Sequence, residues 1–357
     1  MNNLFSDVLC SSICGSNISD RLLSKYDSLH LWKEAQKQAI DGVLLDGYMK
    51  LNADASCMEE YLKVKRRWII CALQLEQRNE LVNLRAKHIT EFFKTGGYRS
   101  CVLKGQGVAL LYPNPKRRHC GDIDLWLEGE RDEIVNFVRS NGIKIYDVHL
   151  VHATAEFFKD VPVEIHFRPS WMYNPFLDKK LQAFFASQAP EQFTHYDETV
   201  GFAYPTIFFN LVHSMVHINR HVFEEGIGLR QLMDYYYILK HSTHEERTDA
   251  YKILCYVGLK DFVGAVMYVM QQIFLLEDNL MLCVPNTTLG SRLLDDVMAG
   301  GNFGKALGLK HGRNKLEKGL LQLKHNLKLM FSYANEAMWI PFFQVWHYGW
   351  RKMHGYL

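Results

Sequence analysis

Residues 101–127 read CVLKGQGVALLYPNPKRRHCGDIDLWL, and the fold turns on how that stretch is divided. Cys101-Val102-Leu103 predicts a short apolar strand that breaks at Gly105 and Gly107. An apolar turn and a proline-rich, basic loop from Pro113 to His119 follow. They lead to a second strand, Asp122-Ile123-Asp124-Leu125-Trp126-Leu127. Side chains alternate faces along a strand, so Ile123, Leu125 and Leu127 point one way and Asp122 and Asp124 the other. Two carboxylates about 7 Å apart at their Cα atoms can close on a hard divalent cation. Bare like charges side by side are otherwise costly, so the pair asks for a metal.

Outward from this stretch, Glu130 to Ser140 predicts a helix closed by Asn141-Gly142, followed by strand-like runs at 143–150 and 153–158. Val161-Pro162-Val163-Glu164-Ile165-His166-Phe167 alternates again, with Glu164 and His166 sharing one face. Residues 19 to 95 are helical in pattern: Ser19 and Asp20 can cap a helix carrying Leu22, Leu23 and Tyr26, and a long periodic segment runs from Glu59 to Lys94. Beyond about residue 176 the pattern is helical again: Asp178 to Ser187, Thr206 to Glu224, Leu229 to His241, then roughly 245–278, 288–298, 316–333 and 335–353. The expected architecture is α+β, a small mixed-sheet core (98–175) between an N-terminal helical region (1–97) and a C-terminal helical domain (176–357).

The ordered string L-K-G, L-Y-P, an arginine-bearing loop and G-D-I-D-L resembles the uncharacterised nucleotidyltransferase family of the DNA polymerase β-like superfamily. V-E-I-H-F at 163–167 and the helices around H-S-M-V-H-I-N-R-H and G-I-G-L-R-Q-L-M-D-Y are similar to it as well. Two departures from the broad superfamily fit the narrower family: Gln106 stands where many members have Gly-Ser, and the spacer to Asp122 is long. The resemblance implies a two-metal site, with Asp122 and Asp124 as bridging ligands and Glu164 completing the triad on the acceptor side. Two Mg²⁺ ions, or Mn²⁺, would serve a nucleoside triphosphate, ATP first among them, and an acceptor hydroxyl or phosphate of unknown identity.

Gly105 and Gly107 let backbone approach phosphate oxygens. With Lys104, Gln106 and Gly121 they form the candidate nucleotide-binding turn, and Arg117 or Arg118 would clamp the triphosphate. His166 shares the Glu164 face and is a pocket candidate. Arg230 either reaches the nucleotide or pairs with Asp234 at i,i+4, the pairing being favoured. His213, His217 and His221 recur at i,i+4, but no H-E-x-x-H motif accompanies them, and packing or pocket lining is preferred to zinc. Gly300 to Ala306 has the wrong spacing for a P-loop.

A formal net charge of +2 gives no global case for nucleic acid or membrane. None of the eight cysteines forms a C-x-x-C pair, and the N-terminus lacks the basic and apolar regions of a signal peptide, which together point to a soluble cytoplasmic protein. The two most apolar segments are interrupted before membrane-spanning length. Two rival readings are a non-catalytic binding protein that keeps the fold, and a nucleic-acid module using the basic stretch Lys305 to Lys328.

Overall fold

The computed structural model describes residues 3–18, 22–23, 27–307 and 333–356. Helices α1 (Asn3–Cys14), α2 (Asp27–Lys37), α3 (Asp41–Tyr48) and α4 (Met58–Thr95) come first, with β1 (Leu22–Leu23) and β2 (Asn52–Ala53) pairing in parallel among them. The sheet region follows as β3 (Ser100–Leu103), α5 (Gly105–Ala109), β4 (Ile123–Leu127), α6 (Arg131–Ser140), β5 (Ile145–Val148), β6 (His152–Ala155) and β7 (Val163–His166). Then come α7 (Pro175–Thr194), the small hairpin β8 (Tyr196–Asp197) and β9 (Phe202–Ala203), α8 (Ile207–Glu224) and α9 (Leu229–His241). Next are α10 (His244–Tyr256), α11 (Lys260–Phe274), α12 (Thr287–Gly300) and a C-terminal helix, Ile340–Met353. The architecture is α+β, a five-stranded mixed sheet set among helices.

The sheet runs β3-β4-β7-β6-β5, with β4 and β7 parallel and the other pairs antiparallel. Register puts Asp124 beside Glu164 and Trp126 beside His166. Because strands have a period of two, these four side chains share a face, and Ile123, Leu125, Val163 and Ile165 take the other. That apolar face packs on Val82, Ile89 and Phe93 of α4 and on Ile134 and Val138 of α6. On the acidic face Trp126 meets Phe193 at 4.5 Å and Phe209 at 5.7 Å, so α7 and α8 cover one side and leave the carboxylates a cavity.

Helix α4 serves both ends of the molecule because its buried positions keep a 3–4 spacing along its whole length. Trp68 near its start stacks with Trp32 and Tyr48, and Phe93 near its end sits under the sheet.

Four expectations change. Leu22 and Leu23 form a two-residue strand rather than a helix, held by pairing with Asn52 and Ala53; Ser19, Asp20 and Tyr26 lie outside the described residues. Helix α7 begins at Pro175 behind the Asn174 cap and runs through Pro190 to Thr194, beyond the expected 178–187. The 245–278 segment divides at Gly258 into α10 and α11. Helix α1 was not expected, and residues 316–332 of the expected helix at 316–333 and most of the basic stretch lie outside the described residues.

Candidate active site

The cavity above the acidic face encloses about 780 Å³. Lys104, Gly105, Arg118, Gly121, Asp122, Asp124 and Glu164 all line it, and Arg230 does so from α9. Asp124 enters from β4 and Glu164 from β7, while Asp122 stands just before β4, where the chain leaves the Pro113–His119 loop. His166 lies buried beneath them. Among the described residues, ligand atoms of Asp124, Glu164 and His166 converge within 4.8 Å, a grouping able to hold a metal ion. Asp122 lines the same cavity but is not part of that tightest group.

Charge explains how the acids coexist. Asp122 is exposed at the cavity, yet crowding by the surrounding protein and repulsion from the Asp124 and Glu164 carboxylates disfavour its charge; its pKa is pushed up to about 6. Burial alone would do the same to Asp124. Lys104, whose Nζ lies 2.9 Å from Asp124 Oδ1, and His166, whose Nε2 donates to the same oxygen at 2.8 Å, overcome it and hold Asp124 well below the usual carboxylate range. Glu164 is likewise held low against burial, chiefly by His166, whose Nε2 is 3.6 Å from Oε2. His166 Nδ1 donates to the Arg168 carbonyl at 3.3 Å, so both ring nitrogens face acceptors and the pKa rises although burial opposes it. Lys104 reaches Asp124 from a backbone at φ 50°, a region disfavoured for a side-chain-bearing residue.

The remaining candidates separate. Gln106 is buried away from the cavity; its amide donates to Asn83 Oδ1 at 2.5 Å and Asn79 Oδ1 at 3.4 Å, tying α5 to α4. Gly107 packs rather than opens, since a Cβ there would lie 2.9 Å from the Val102 carbonyl and 3.0 Å from Tyr204 Cβ. Arg117 turns outward to Glu76, at 2.8 Å, and to Asp46. Arg118 turns inward and forks onto Asp234 at 2.6 and 2.7 Å. Asp234 is therefore engaged by Arg118, and the expected Arg230–Asp234 pair does not form: Arg230 Nη1 contacts the His119 carbonyl at 3.4 Å instead. His213 is buried, with Nε2 3.1 Å from the Pro169 carbonyl, whereas His217 and His221 line the cavity.

Several residues that shape the site are not among the sequence candidates. Asn79, buried on α4, donates to the carbonyls of Lys116 and Arg118 at 2.8 and 2.9 Å and fixes the basic loop. His152 stands across the sheet register from His166. Trp171, Arg220, Phe343 and His347 line the cavity from outside the acidic strands. Alternation along 152–155 could have flagged His152; the others depend on tertiary placement.

A mixed sheet with clustered acids on one face, under a helical wall, is the layout of a nucleotidyltransferase. Comparison with known families agrees: the family described as uncharacterised nucleotidyltransferase matches residues 24–274, and the chain belongs to it. No curated protein matches the sequence. Among the described residues no helix is long and apolar enough to cross a membrane.

Proposed function

We propose that the chain is a cytoplasmic, divalent-metal-dependent nucleotidyltransferase that moves a nucleoside monophosphate from an NTP, ATP first among them, to a hydroxyl or phosphate acceptor. The observation that supports it best is register: Asp124 and Glu164 are neighbours on parallel strands and line one cavity with Asp122. The donor set fits the group, because carboxylate oxygens suit Mg²⁺, and Mn²⁺ also tolerates imidazole. Bound there, two such ions would activate the acceptor oxygen and neutralise the departing pyrophosphate.

The chain's own groups do the rest. Asp122, Asp124 and Glu164 supply the ligand oxygens, and His166 orients Asp124. Gly105 and Gly121 offer accessible backbone beside the acids, and Lys104 brings an ammonium to the phosphate side. Helices α8 and α9 wall the cavity and exclude bulk water.

The test is transfer of label from [α-³²P]NTP with Mg²⁺ present. Asp124→Asn is expected to lower the rate by about three orders of magnitude, ~4 kcal/mol of transition-state stabilisation, in protein shown by circular dichroism to be folded. Transfer undiminished in Asp124→Asn and in Asp122→Asn would end the proposal. One observation favours the rival reading of a nucleotide-binding protein without the reaction: Lys104 and His166 already engage Asp124 Oδ1. Nucleotide binding indifferent to EDTA, with no transfer to any acceptor offered, would establish that rival.

A further inference from the structure

Helices α8 and α9 bring a second, cationic surface to the cavity. Arg220, Arg230, His217 and His221 all line it. The Arg220 guanidinium lies 3.9 Å from the Trp171 ring centre and that of Arg230 lies 4.8 Å from the Phe303 ring centre, so each guanidinium is held over an aromatic ring. His221 links the two halves, its ring 4.3 Å from that of His217 and 5.2 Å from that of Phe303. Phe303 reaches this place from a left-handed backbone, φ 55° and ψ 35°, and the adjoining turn requires a glycine: a Cβ on Gly304 would fall 1.9 Å from the Glu225 carbonyl.

The wall is unsatisfied as it stands. Nε of Arg220, Nε of Arg230, and Nδ1 of His217 and of His221 are buried without hydrogen-bond partners. Buried polar atoms are nearly always paired in folded proteins, so four in one place point to something that pairs with them. Among the described residues no carboxylate hydrogen-bonds these nitrogens, although Glu224 ion-pairs with Arg220. Glu224 stays 3.6 Å from Arg220 Nε while accepting the Tyr173 hydroxyl at 2.9 Å, and Asp234 is taken by Arg118. Burial, reinforced by Arg220 and Lys104 nearby, keeps both imidazoles uncharged, so the wall's positive charge rests on the two guanidiniums. Two guanidiniums lining one cavity suit an oxyanion with several oxygens.

We propose that this wall is a phosphate subsite for the second substrate, and that the acceptor carries a phosphate group seated between Arg220 and Arg230. The nucleotide has its own cation and backbone donors in the turn after β3, which leaves the helical wall to the other substrate. Assigning the phosphate to an acceptor rests on the transferase reading above; the anion site itself does not.

The experiment is equilibrium binding of inorganic phosphate to the full chain, alone and with Mg²⁺ and a non-hydrolysable NTP at saturation. Phosphate is expected to bind with nucleotide already present. Arg220→Gln and Arg230→Gln should each weaken phosphate about tenfold or more and change nucleotide affinity far less. Arg230→Lys, which keeps the charge and loses the fork, should fall between. Arg220→Gln serves if Arg230→Gln does not fold, and thermal melting distinguishes the cases. Phosphate that competes with nucleotide, or arginine variants that lose both ligands together, would assign the pair to the triphosphate and overturn the proposal while leaving the transferase intact. Arginine-dependent phosphate binding by a chain that takes no nucleotide would keep the anion site and sink the transferase reading. Absence of phosphate binding by the native chain ends the matter.

Discussion

Arg118 and Asp234 show how one buried contact decides the identity of a site residue. Their side chains are 5% and 14% exposed, they meet through a fork, and the Tyr112 hydroxyl donates to the same carboxylate at 2.6 Å. Removing one partner of a buried pair strands the other charge, at about 3–5 kcal/mol, whereas replacing both with apolar groups is often nearly neutral. Arg118→Met should therefore cost about that much, and Arg118→Met with Asp234→Leu should regain part of it, the Tyr112 hydroxyl losing its acceptor in the double variant. Urea denaturation of the three proteins checks this; a double variant no more stable than the single would show that the pair is not the unit. In sequence, Arg117 and Arg118 are equivalent neighbours. The single turn at Pro115–Arg117, capped by Asn114 Oδ1 accepting from Lys116 N at 3.2 Å, sends one outward and the other into the cavity. Spacing likewise proposed Arg230 as the partner of Asp234, because i,i+4 counts only what one helix offers. A guanidinium arriving from another element reached Asp234 instead. The shared face of Glu164 and His166 was legible because it depends on strand period, and register sets Asp124 beside it; the directions of the arginines were not, because they depend on a loop.

Elements were readable where their own sequence closes their ends. The limits of α9 fall where expected, and α8 begins one residue later, behind the Thr206 cap. Helix α7 runs past the expected limits and through Pro190, because a proline removes one hydrogen bond and does not forbid helix beyond it. Helix α1 has Leu4, Phe5, Val8 and Leu9 at helical spacing, a signal present in the sequence but too brief to separate from a disordered start. The C-terminal segment is anchored by a device no periodicity reveals. Buried Glu336 accepts from Tyr173 N at 2.7 Å and Asn174 N at 3.4 Å, just ahead of α7. Burial pushes its pKa up to about 8, from an ordinary value of 4.5. A folded-state pKa above the unfolded one means the contribution is fully present below 4.5 and is lost as pH rises through 8. The urea midpoint should thus fall between pH 5 and 9 in the native chain, and Glu336→Gln, which mimics the protonated acid, should flatten that part of the curve. Equal slopes for the two proteins would remove Glu336 from the account.

At the scale of the whole molecule, the cavity is assembled from three distant parts of the chain: the acidic strands, helices α8 and α9, and the C-terminal helix. The family match ends at residue 274, yet Phe343, Gln344, His347, Tyr348 and Arg351 line the cavity from beyond it. Their placement is tied down by contacts with the sheet region and its flanks. His347 stacks 5.4 Å from His149 and accepts from Leu150 N at 3.3 Å, Phe343 stacks 6.4 Å from Trp171, and Arg351 pairs with Asp147. The acids proposed for catalysis and the glycine turn proposed for the nucleotide lie within the matched part, and this aromatic wall does not. Chemistry common to the family should therefore survive damage to the wall, and the choice of acceptor should not. Phe343→Ala with His347→Ala is expected to leave nucleotide affinity within about threefold and to slow transfer to the acceptor by about tenfold or more, ~1.4 kcal/mol. Nucleotide titration and labelled transfer into a protein-free metabolite pool, run on one preparation, separate the two effects. Equal losses in both would mean that the C-terminal helix supports the cavity as a whole, and that selection of the acceptor lies with α8 and α9.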